Sequence, residues 1–143
     1  SVWTSTLQRT IQTAAPLKRT TNALKVLDEI DAGICDGMTY GEISEQMPGE
    51  YARRQADKLA YRYPRGESYL DVIARLDPFI LELERQRDPV LIVAHNAIIR
   101  VLHGYLSDTP RENVPHTDIP LHTLIGLTPK AYGCEENRIS LED

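Results

Sequence analysis

The sequence contains little cysteine and no long hydrophobic run. Cys35 and Cys134 are the only two cysteines, and their spacing matches neither a metal site nor a disulfide framework. The longest apolar run, VLIVA at 90–94, is far too short to cross a bilayer. The first residues do not have the basic and apolar regions of a secretory signal. We therefore expect a cytoplasmic protein with neither a metal, a cofactor nor a membrane partner.

Positive charge is also scarce. The 21 Asp and Glu residues outnumber the 16 Lys and Arg residues, and the net charge of -5 argues against nucleic acid as the main partner. The length of 143 residues, of which 41% are hydrophobic, predicts a single domain with its own core. The chain begins SVWTSTLQRT without an initiating Met. We therefore expect that upstream residues were removed or that the chain is a piece of a longer parent protein.

Apolar periodicity and turn residues divide the first half of the chain into short elements. Thr4 or Ser5 is expected to cap a first helix, and residues 23–27 are expected to form a short strand. The capping-box pattern TYGE at 39–42 predicts the start of a second helix. Pro48 predicts a boundary, after which another helix follows.

The second half of the chain has stronger signals. Ser68 is expected to cap a long helix, which Pro78 should kink or interrupt. PVLIVAHN at 89–96 predicts a strand buried on both faces, and a helix follows it at once. Residues 122–129 and 137–142 predict two closing strands. The alternation of strands and helices predicts an α/β sandwich around a mostly parallel central sheet.

Three cationic residues recur every four positions, at Arg54, Lys58 and Arg62. On a helix this spacing places them on one face, where each like-charged pair is destabilising by roughly 0.2–0.5 kcal/mol. A solvated surface is the usual explanation of such a run. A phosphate group that accepts hydrogen bonds from all three side chains would remove the repulsion. The spacing therefore indicates a site for a phosphorylated small molecule, with a solvated face as the alternative.

His95 ends the predicted central strand and directly precedes a helix, at the sheet edge where ligands bind in open α/β folds. A hydrogen-bonded core histidine is the alternative. Arg100 adds a cation about one turn into that helix, although a solvated Arg is equally compatible with the pattern. Glu29 follows a predicted strand and is a candidate proton donor, unless it is only a solvated loop carboxylate.

Five segments resemble the fructose-2,6-bisphosphatase domain family, which belongs to the histidine phosphatase (phosphoglycerate mutase-like) superfamily. They are STLQRTIQTA, LDEIDAGICDGMTYGEI, YRYPRGESY, VLIVAHNAIIR and PLHTLIGLTPKAYGCE. The resemblance covers nearly the whole chain, and YRYPRGESY is its most specific part. It implies a three-layer α/β/α sandwich and hydrolysis of the 2-phosphate of fructose 2,6-bisphosphate through a phosphohistidine.

The resemblance also implies roles for individual residues. Glu29 is the expected general acid and base, His95 the partner histidine, and Arg9 a ligand of the transferring phosphoryl group. The resemblance further implies a set of residues around the sugar 6-phosphate. They are Tyr40, Arg54, Lys58, Arg62, Tyr69 and Arg100. Asn96 stands where the family usually has Gln, so its shorter amide is expected to reach the substrate only through water.

The nucleophile of the family is a histidine in an Arg-His-Gly motif at the end of the first strand. The chain has four histidines, and none lies in such a motif: His95, His103, His116 and His122. We therefore expect residues 1–143 to form one domain without its first strand and nucleophile, inactive alone. A 6-phosphofructo-2-kinase domain upstream in the parent protein is the expected partner.

Two other functions remain open from the sequence. The chain could belong to a histidine phosphatase or phosphoglycerate mutase of another specificity, which would share the catalytic residues but not usually the cationic residues around the 6-phosphate. It could also be a non-catalytic module that senses a sugar phosphate or contacts a kinase domain. Binding residues without a nucleophile are the pattern that such a module would show.

Overall fold

The computed structural model describes residues 1–142. Its centre is a sheet of three short parallel strands, β1 (Val2–Thr4), β2 (Thr21–Ala23) and β3 (Leu91–Val93), in the order β2-β1-β3. β1 is the central strand, with Trp3 opposite both Asn22 and Ile92. A two-stranded antiparallel sheet, β4 (Thr123–Pro129) and β5 (Cys134–Ser140), lies near the end of the chain. The predicted α/β fold with a mostly parallel sheet is confirmed.

The start of the chain differs from the sequence prediction. Residues 2–4 form β1, and all three are buried, because strands lie on both sides. Helix α1 (Gln8–Ala14) begins after Leu7, so the prediction that Thr4 or Ser5 caps it was wrong. The expected strand at 23–27 was also misplaced. β2 ends at Ala23, where its partner β1 ends, and the following residues turn into a short 3-10 segment.

The main core joins β1 to α4 (Tyr69–Glu84) and α5 (Asn96–Leu106). Ser68 caps α4, as predicted, and does so through a full capping box. Pro78 was expected to kink or interrupt the helix, and α4 continues through it without interruption. The edge of the Trp3 ring packs against Phe79, with the ring centroids 5.6 Å apart. The other buried members of this core are Leu27, Tyr69, Val72, Leu76, Ile80, Ala97, Ile98, Val101, Leu102 and Val114.

β3 is less buried than its sequence predicted. Its three residues, 91–93, are half-buried, so the expectation of burial on both faces was wrong. The reason is its position: within residues 1–142, β3 pairs with β1 on one side only. The strand nevertheless leads directly into α5, as expected, and His95 stands between the two elements.

Two short helices, α2 (Tyr40–Gln46) and α3 (Pro48–Ala56), form a second layer of packing. Thr39 caps α2 by accepting a hydrogen bond from the Glu42 amide at 3.1 Å, as expected. α3 ends at Ala56, and Asp57 leaves the helical conformation while its carboxylate accepts the amide of Ala60. Lys58 and Arg62 therefore lie beyond the helix, and the prediction of one continuous cationic helix face was wrong.

The C-terminal part follows the sequence pattern with small differences. Residues 107–120 were expected to be an extended loop, and they include a 3-10 segment at Arg111–His116. The two closing strands form the hairpin of β4 and β5, in which Gly126 is opposite Asn137. None of the helices in the described part of the chain is long and apolar enough to span a membrane.

Candidate active site

His95 lies at the junction of β3 and α5 and is buried, with only 6% of its surface exposed. Its Nε2 atom is 2.8 Å from the Ser5 hydroxyl, just after β1, and its Nδ1 atom accepts a hydrogen bond from Arg9 Nε at 3.3 Å. Burial, and then the Arg9 cation, lower the pKa of His95 to about 4, against an opposing effect of Asp28. The imidazole is therefore neutral at pH 7.

Glu29 lies on the segment that leaves the sheet after β2. Its side chain accepts the Ile30 amide at 2.9 Å, and burial raises its pKa against the opposing effects of that amide and of Arg9. The Ala97 amide, in the first turn of α5, also lowers the pKa. A carboxyl group that keeps its proton to higher pH than a free Glu is suited to general acid catalysis.

The segment carrying Glu29 is held by an ion pair that the sequence analysis missed. Arg75, on α4, donates to the carbonyl oxygens of Val26 at 2.6 Å and Asp28 at 3.0 Å. The same guanidinium pairs with Glu67 at 3.0 Å. Glu67 in turn accepts the amide of Asp31 at 2.9 Å. Residues on both sides of Glu29 are thus fixed to one Arg–Glu pair.

Only one member of this ion pair could have been recognised from the sequence. Glu67 belongs to the YRYPRGESY segment, whereas Arg75 reads as an ordinary charged residue on a helix. Its bonds to Val26 and Asp28 join residues 49 and 47 positions apart, a relation that no local pattern contains.

Arg54 is a buried cation without a carboxylate partner. It is 8% exposed, yet none of the ion pairs among residues 1–142 includes it. Its guanidinium lies 4.6 Å from the ring centre of Tyr40 and 5.9 Å from that of Tyr63, and Nη2 donates to the Tyr40 hydroxyl at 3.3 Å. The π faces and one hydroxyl replace only part of the water that burial removes.

Lys58 and Arg100 join Arg54 in what we call the cation cluster. The Lys58 ammonium lies 6.0 Å from the Tyr69 ring centre, and Arg100 donates to the Tyr69 hydroxyl at 3.1 Å. Arg100 also donates to the Thr117 carbonyl at 2.9 Å. Burial, followed by repulsion from Arg100 and Arg54, lowers the pKa of Lys58 to about 8. Both arginines are thus close enough to repel the Lys58 ammonium.

Arg62 and Asn96 lie apart from this cluster. Arg62 is exposed and donates to both oxygens of Asp71, at 2.7 and 2.8 Å, a pairing that lowers the pKa of Asp71. Asn96 is an exposed residue at the first position of α5, and its side chain donates to the Ile119 carbonyl at 3.4 Å. Their expected contacts with substrate stay predictions.

An open pocket of about 350 Å³ extends from Glu29 to the two aromatic rings that lie beside Arg54. Glu29, Tyr40 and Tyr63 line it, and the last of these was not expected from the sequence. Tyr69 lies close to both Arg100 and Glu29: burial raises the pKa of Tyr69, Arg100 opposes this effect, and the Glu29 carboxylate adds to it. Residues 1–142 contain no group of His, Cys, Asp or Glu side chains that could hold a metal ion.

The other three histidines have different surroundings. His103 pairs with Glu136 and thereby joins α5 to β5, whereas His116 and His122 are exposed. The site therefore combines a neutral histidine, a carboxyl group with a raised pKa and a cluster of cations. This combination is suited to binding and cleaving a phosphate ester.

Comparison with known proteins supports this chemistry. The model of the histidine phosphatase superfamily (branch 1) matches residues 1–141. The chain is 52% identical, over its whole length, to 19% of a 6-phosphofructo-2-kinase/fructose-2,6-bisphosphatase from Arabidopsis thaliana. It is also 52% identical, over 97% of its length, to 30% of a fructose-2,6-bisphosphatase from Saccharomyces cerevisiae. The chain thus spans less than a third of these curated relatives.

Solved structures show the same fold. A mycobacterial glucosyl-3-phosphoglycerate phosphatase in complex with inorganic phosphate is 26% identical, with a TM-score of 0.77, over 96% of this chain and 74% of that one. An alpha-ribazole phosphatase from Shigella flexneri aligns over 93% of this chain and 69% of its own, with a TM-score of 0.80 at 18% identity. These findings confirm the predicted family and fold, and the chain belongs to branch 1 of the histidine phosphatase superfamily.

Proposed function

We propose that the parent protein hydrolyses fructose 2,6-bisphosphate at its 2-phosphate, giving fructose 6-phosphate and phosphate. The observation that carries this proposal is the cation cluster. Buried Arg54 and half-buried Lys58 and Arg100 form no ion pair with a carboxylate among residues 1–142, so an anion is the ligand that would relieve the repulsion on Lys58. The relatives named fructose-2,6-bisphosphatase support a sugar bisphosphate as that anion.

In this mechanism the two halves of the site bind the two phosphates. The cation cluster holds the 6-phosphate, and Arg9 and His95 lie beside the 2-phosphate. A histidine nitrogen attacks the phosphorus of the 2-phosphate, and the bond from phosphorus to the fructose oxygen breaks. Glu29 gives its proton to that oxygen, and then takes a proton from the water that attacks the phosphohistidine. The water oxygen ends in the released phosphate, and the histidine nitrogen is free again.

The nucleophile is the part that these residues do not supply. None of the four histidines lies in an Arg-His-Gly motif. We propose that a strand of the parent protein, outside these 143 residues, carries it and pairs with β3, whose other edge is unpaired among residues 1–142. The 143 residues alone would then bind sugar phosphate without turnover. A kinase domain in the parent and a cytoplasmic location remain parts of this proposal.

The decisive experiment compares two substrates in the parent protein. Arg54→Ala should greatly lower kcat/KM for fructose 2,6-bisphosphate, but should change little for fructose 2-phosphate, which has no 6-phosphate. Arg53→Ala is the matched control, because the neighbouring Arg53 is exposed and pairs with Glu50. An equal effect of Arg54→Ala on both substrates would contradict the assignment of the cation cluster to the 6-phosphate.

A non-catalytic sensor is the second candidate, because the binding residues are present without a nucleophile. Calorimetric titration of the parent protein with fructose 2,6-bisphosphate, followed by a phosphate assay of the same sample, separates the two functions. Binding with phosphate release supports the enzyme. Binding without release in the parent protein supports the sensor.

A further inference from the structure

A chain of hydrogen bonds runs from Arg9 through His95 to Ser5 and Thr10, and its direction can be assigned at each step. Arg9 Nε–H can only donate, so His95 Nδ1, at 3.3 Å, must be the acceptor and carries no proton. In a neutral imidazole the other nitrogen then carries the proton. His95 Nε2 therefore donates to the Ser5 hydroxyl, 2.8 Å away.

The two hydroxyl groups continue the chain in the same direction. Ser5 Oγ accepts from His95 and from the Leu7 amide, which lies at 3.2 Å, so its own proton is directed to Thr10 Oγ1 at 2.8 Å. The Thr10 hydroxyl then donates to the Leu7 carbonyl at 2.9 Å. Ser5 and Thr10 are buried, at 0% and 3% exposure, so exchange of these bonds with water is restricted.

The opposite tautomer does not fit these contacts. A proton on His95 Nδ1 would face the Arg9 Nε–H donor, and an unprotonated Nε2 would need the Ser5 hydroxyl to turn away from Thr10. With the Ser5 proton turned toward His95, Thr10 could still donate to the carbonyl of Ser5 or Leu7, but it would no longer accept a hydrogen bond from the Ser5 hydroxyl. The Nε2–H tautomer satisfies all these hydrogen-bond partners. The Nδ1–H tautomer places two donors, Arg9 Nε–H and His95 Nδ1–H, against each other.

We propose that Ser5 and Thr10 act together with Arg9 as positioning residues that hold His95 as the Nε2–H tautomer, and that the 2.8 Å contact with Ser5 contributes more than the longer contact with Arg9 at 3.3 Å. The Nδ1 lone pair is then the only ring position that can take a proton, and it lies beside Arg9. If the proposed function is right, a phosphoryl dianion beside Arg9 would favour uptake of a solvent proton at Nδ1. The resulting imidazolium would face the phosphoryl group while its Nε2–H stays on Ser5.

The tautomer can be read directly from the histidine nitrogens of the protein labelled with ¹⁵N in histidine. Long-range ¹H–¹⁵N correlation spectra near pH 7, without substrate, distinguish a protonated from an unprotonated ring nitrogen, and His95→Gln identifies the signals. We expect His95 to show a single Nε2–H pattern. Ser5→Ala should convert it to a mixture of tautomers, and Thr10→Val should produce a smaller change in the same direction.

Thr13→Val is the control, because the Thr13 hydroxyl bonds to the Arg9 carbonyl within α1 and should leave the His95 pattern unchanged. An Nδ1–H pattern in the unmodified protein would overturn the proposal, as would an unchanged pattern in Ser5→Ala. If Ser5→Ala does not fold, the spectra of the unmodified protein and of Thr10→Val still test the proposal. The reading needs no substrate, so a protein without fructose 2,6-bisphosphatase activity would refute the proposed function and leave this inference standing.

Discussion

Lys58 should make sugar-phosphate affinity depend on pH in a range where ordinary lysines do not titrate. Its pKa is lowered to about 8, chiefly by burial and then by Arg100 and Arg54. With that pKa, about nine-tenths of the free protein carries the Lys58 charge at pH 7 and about one-tenth at pH 9. If binding requires the charged form, affinity for a 6-phosphate should fall about tenfold from pH 7 to pH 9.

Fructose 6-phosphate is a suitable probe, because it has the 6-phosphate but no 2-phosphate to be hydrolysed. Calorimetric titrations of the parent protein at pH 7, 8 and 9 should show the fall, with increasing proton uptake on binding. Lys58→Arg should bind with nearly constant affinity over the same range, because the guanidinium stays charged. A constant affinity in the unmodified protein, or an equal fall in Lys58→Arg, would refute the assignment of Lys58 to the binding site.

Three further outcomes follow from the same site. Glu29→Gln should lower kcat for fructose 2,6-bisphosphate by about 10²–10⁴-fold, while calorimetry shows unchanged binding of fructose 6-phosphate. Arg75→Lys should lower the free energy of unfolding in urea by about 2 kcal/mol and also lower kcat, whereas Arg85→Lys, at an exposed ion pair, should change neither. Lys58→Met should raise Tm at pH 7, because it removes a half-buried cation that Arg54 and Arg100 repel; an unchanged Tm would mean that solvent already screens this repulsion.

The sign of the last effect follows from linkage. The folded protein holds the Lys58 proton less tightly than the unfolded chain, whose lysine has the ordinary pKa of 10.5. Between about pH 8 and 10.5 the unfolded chain therefore binds more protons, and stability attributable to this group rises with pH. Unfolding measurements at pH 7 and pH 9.5 should show a smaller difference between Lys58→Met and the unmodified protein at the higher pH.

The sequence predicted best those elements whose signals are local. Ser68 caps α4 through contacts three residues apart, and the apolar spacing of α5 is long enough to identify a helix. The hairpin of β4 and β5 is also local. β1 could not be identified in this way, because three residues are too few to show a period of two. Its strand character comes from β2 and β3 on its two sides, which the sequence does not place together.

The same difference between local signals and contacts of distant residues applies to the candidate site. The strand-end position placed His95 correctly, but its partner Ser5 lies 90 positions away and carries no signal of its own. Tyr63 and Arg75 were missed for the same reason: Tyr63 belongs to a buried cluster with Cys35 and Ile43, and Arg75 bonds to the carbonyl of Val26. Arg54 and Lys58 lie near each other and near Arg100, which the family resemblance had added. Arg62 lies apart, and the helix face predicted for Arg54, Lys58 and Arg62 does not exist.

That difference matters for how the cation cluster works. Cations on one exposed helix face would be screened by solvent. They could also move apart at little cost in free energy, because long exposed side chains have many rotamers. Here Tyr40 and Tyr69 hold Arg54 and Arg100 by hydroxyl contacts, and Arg100 is also fixed to the Thr117 carbonyl. The charges are thus kept together. Under the proposed function a bound phosphate would recover the free energy of this repulsion, which adds to burial in lowering the pKa of Lys58. A polyanion should therefore raise Tm more than an uncharged sugar at equal concentration.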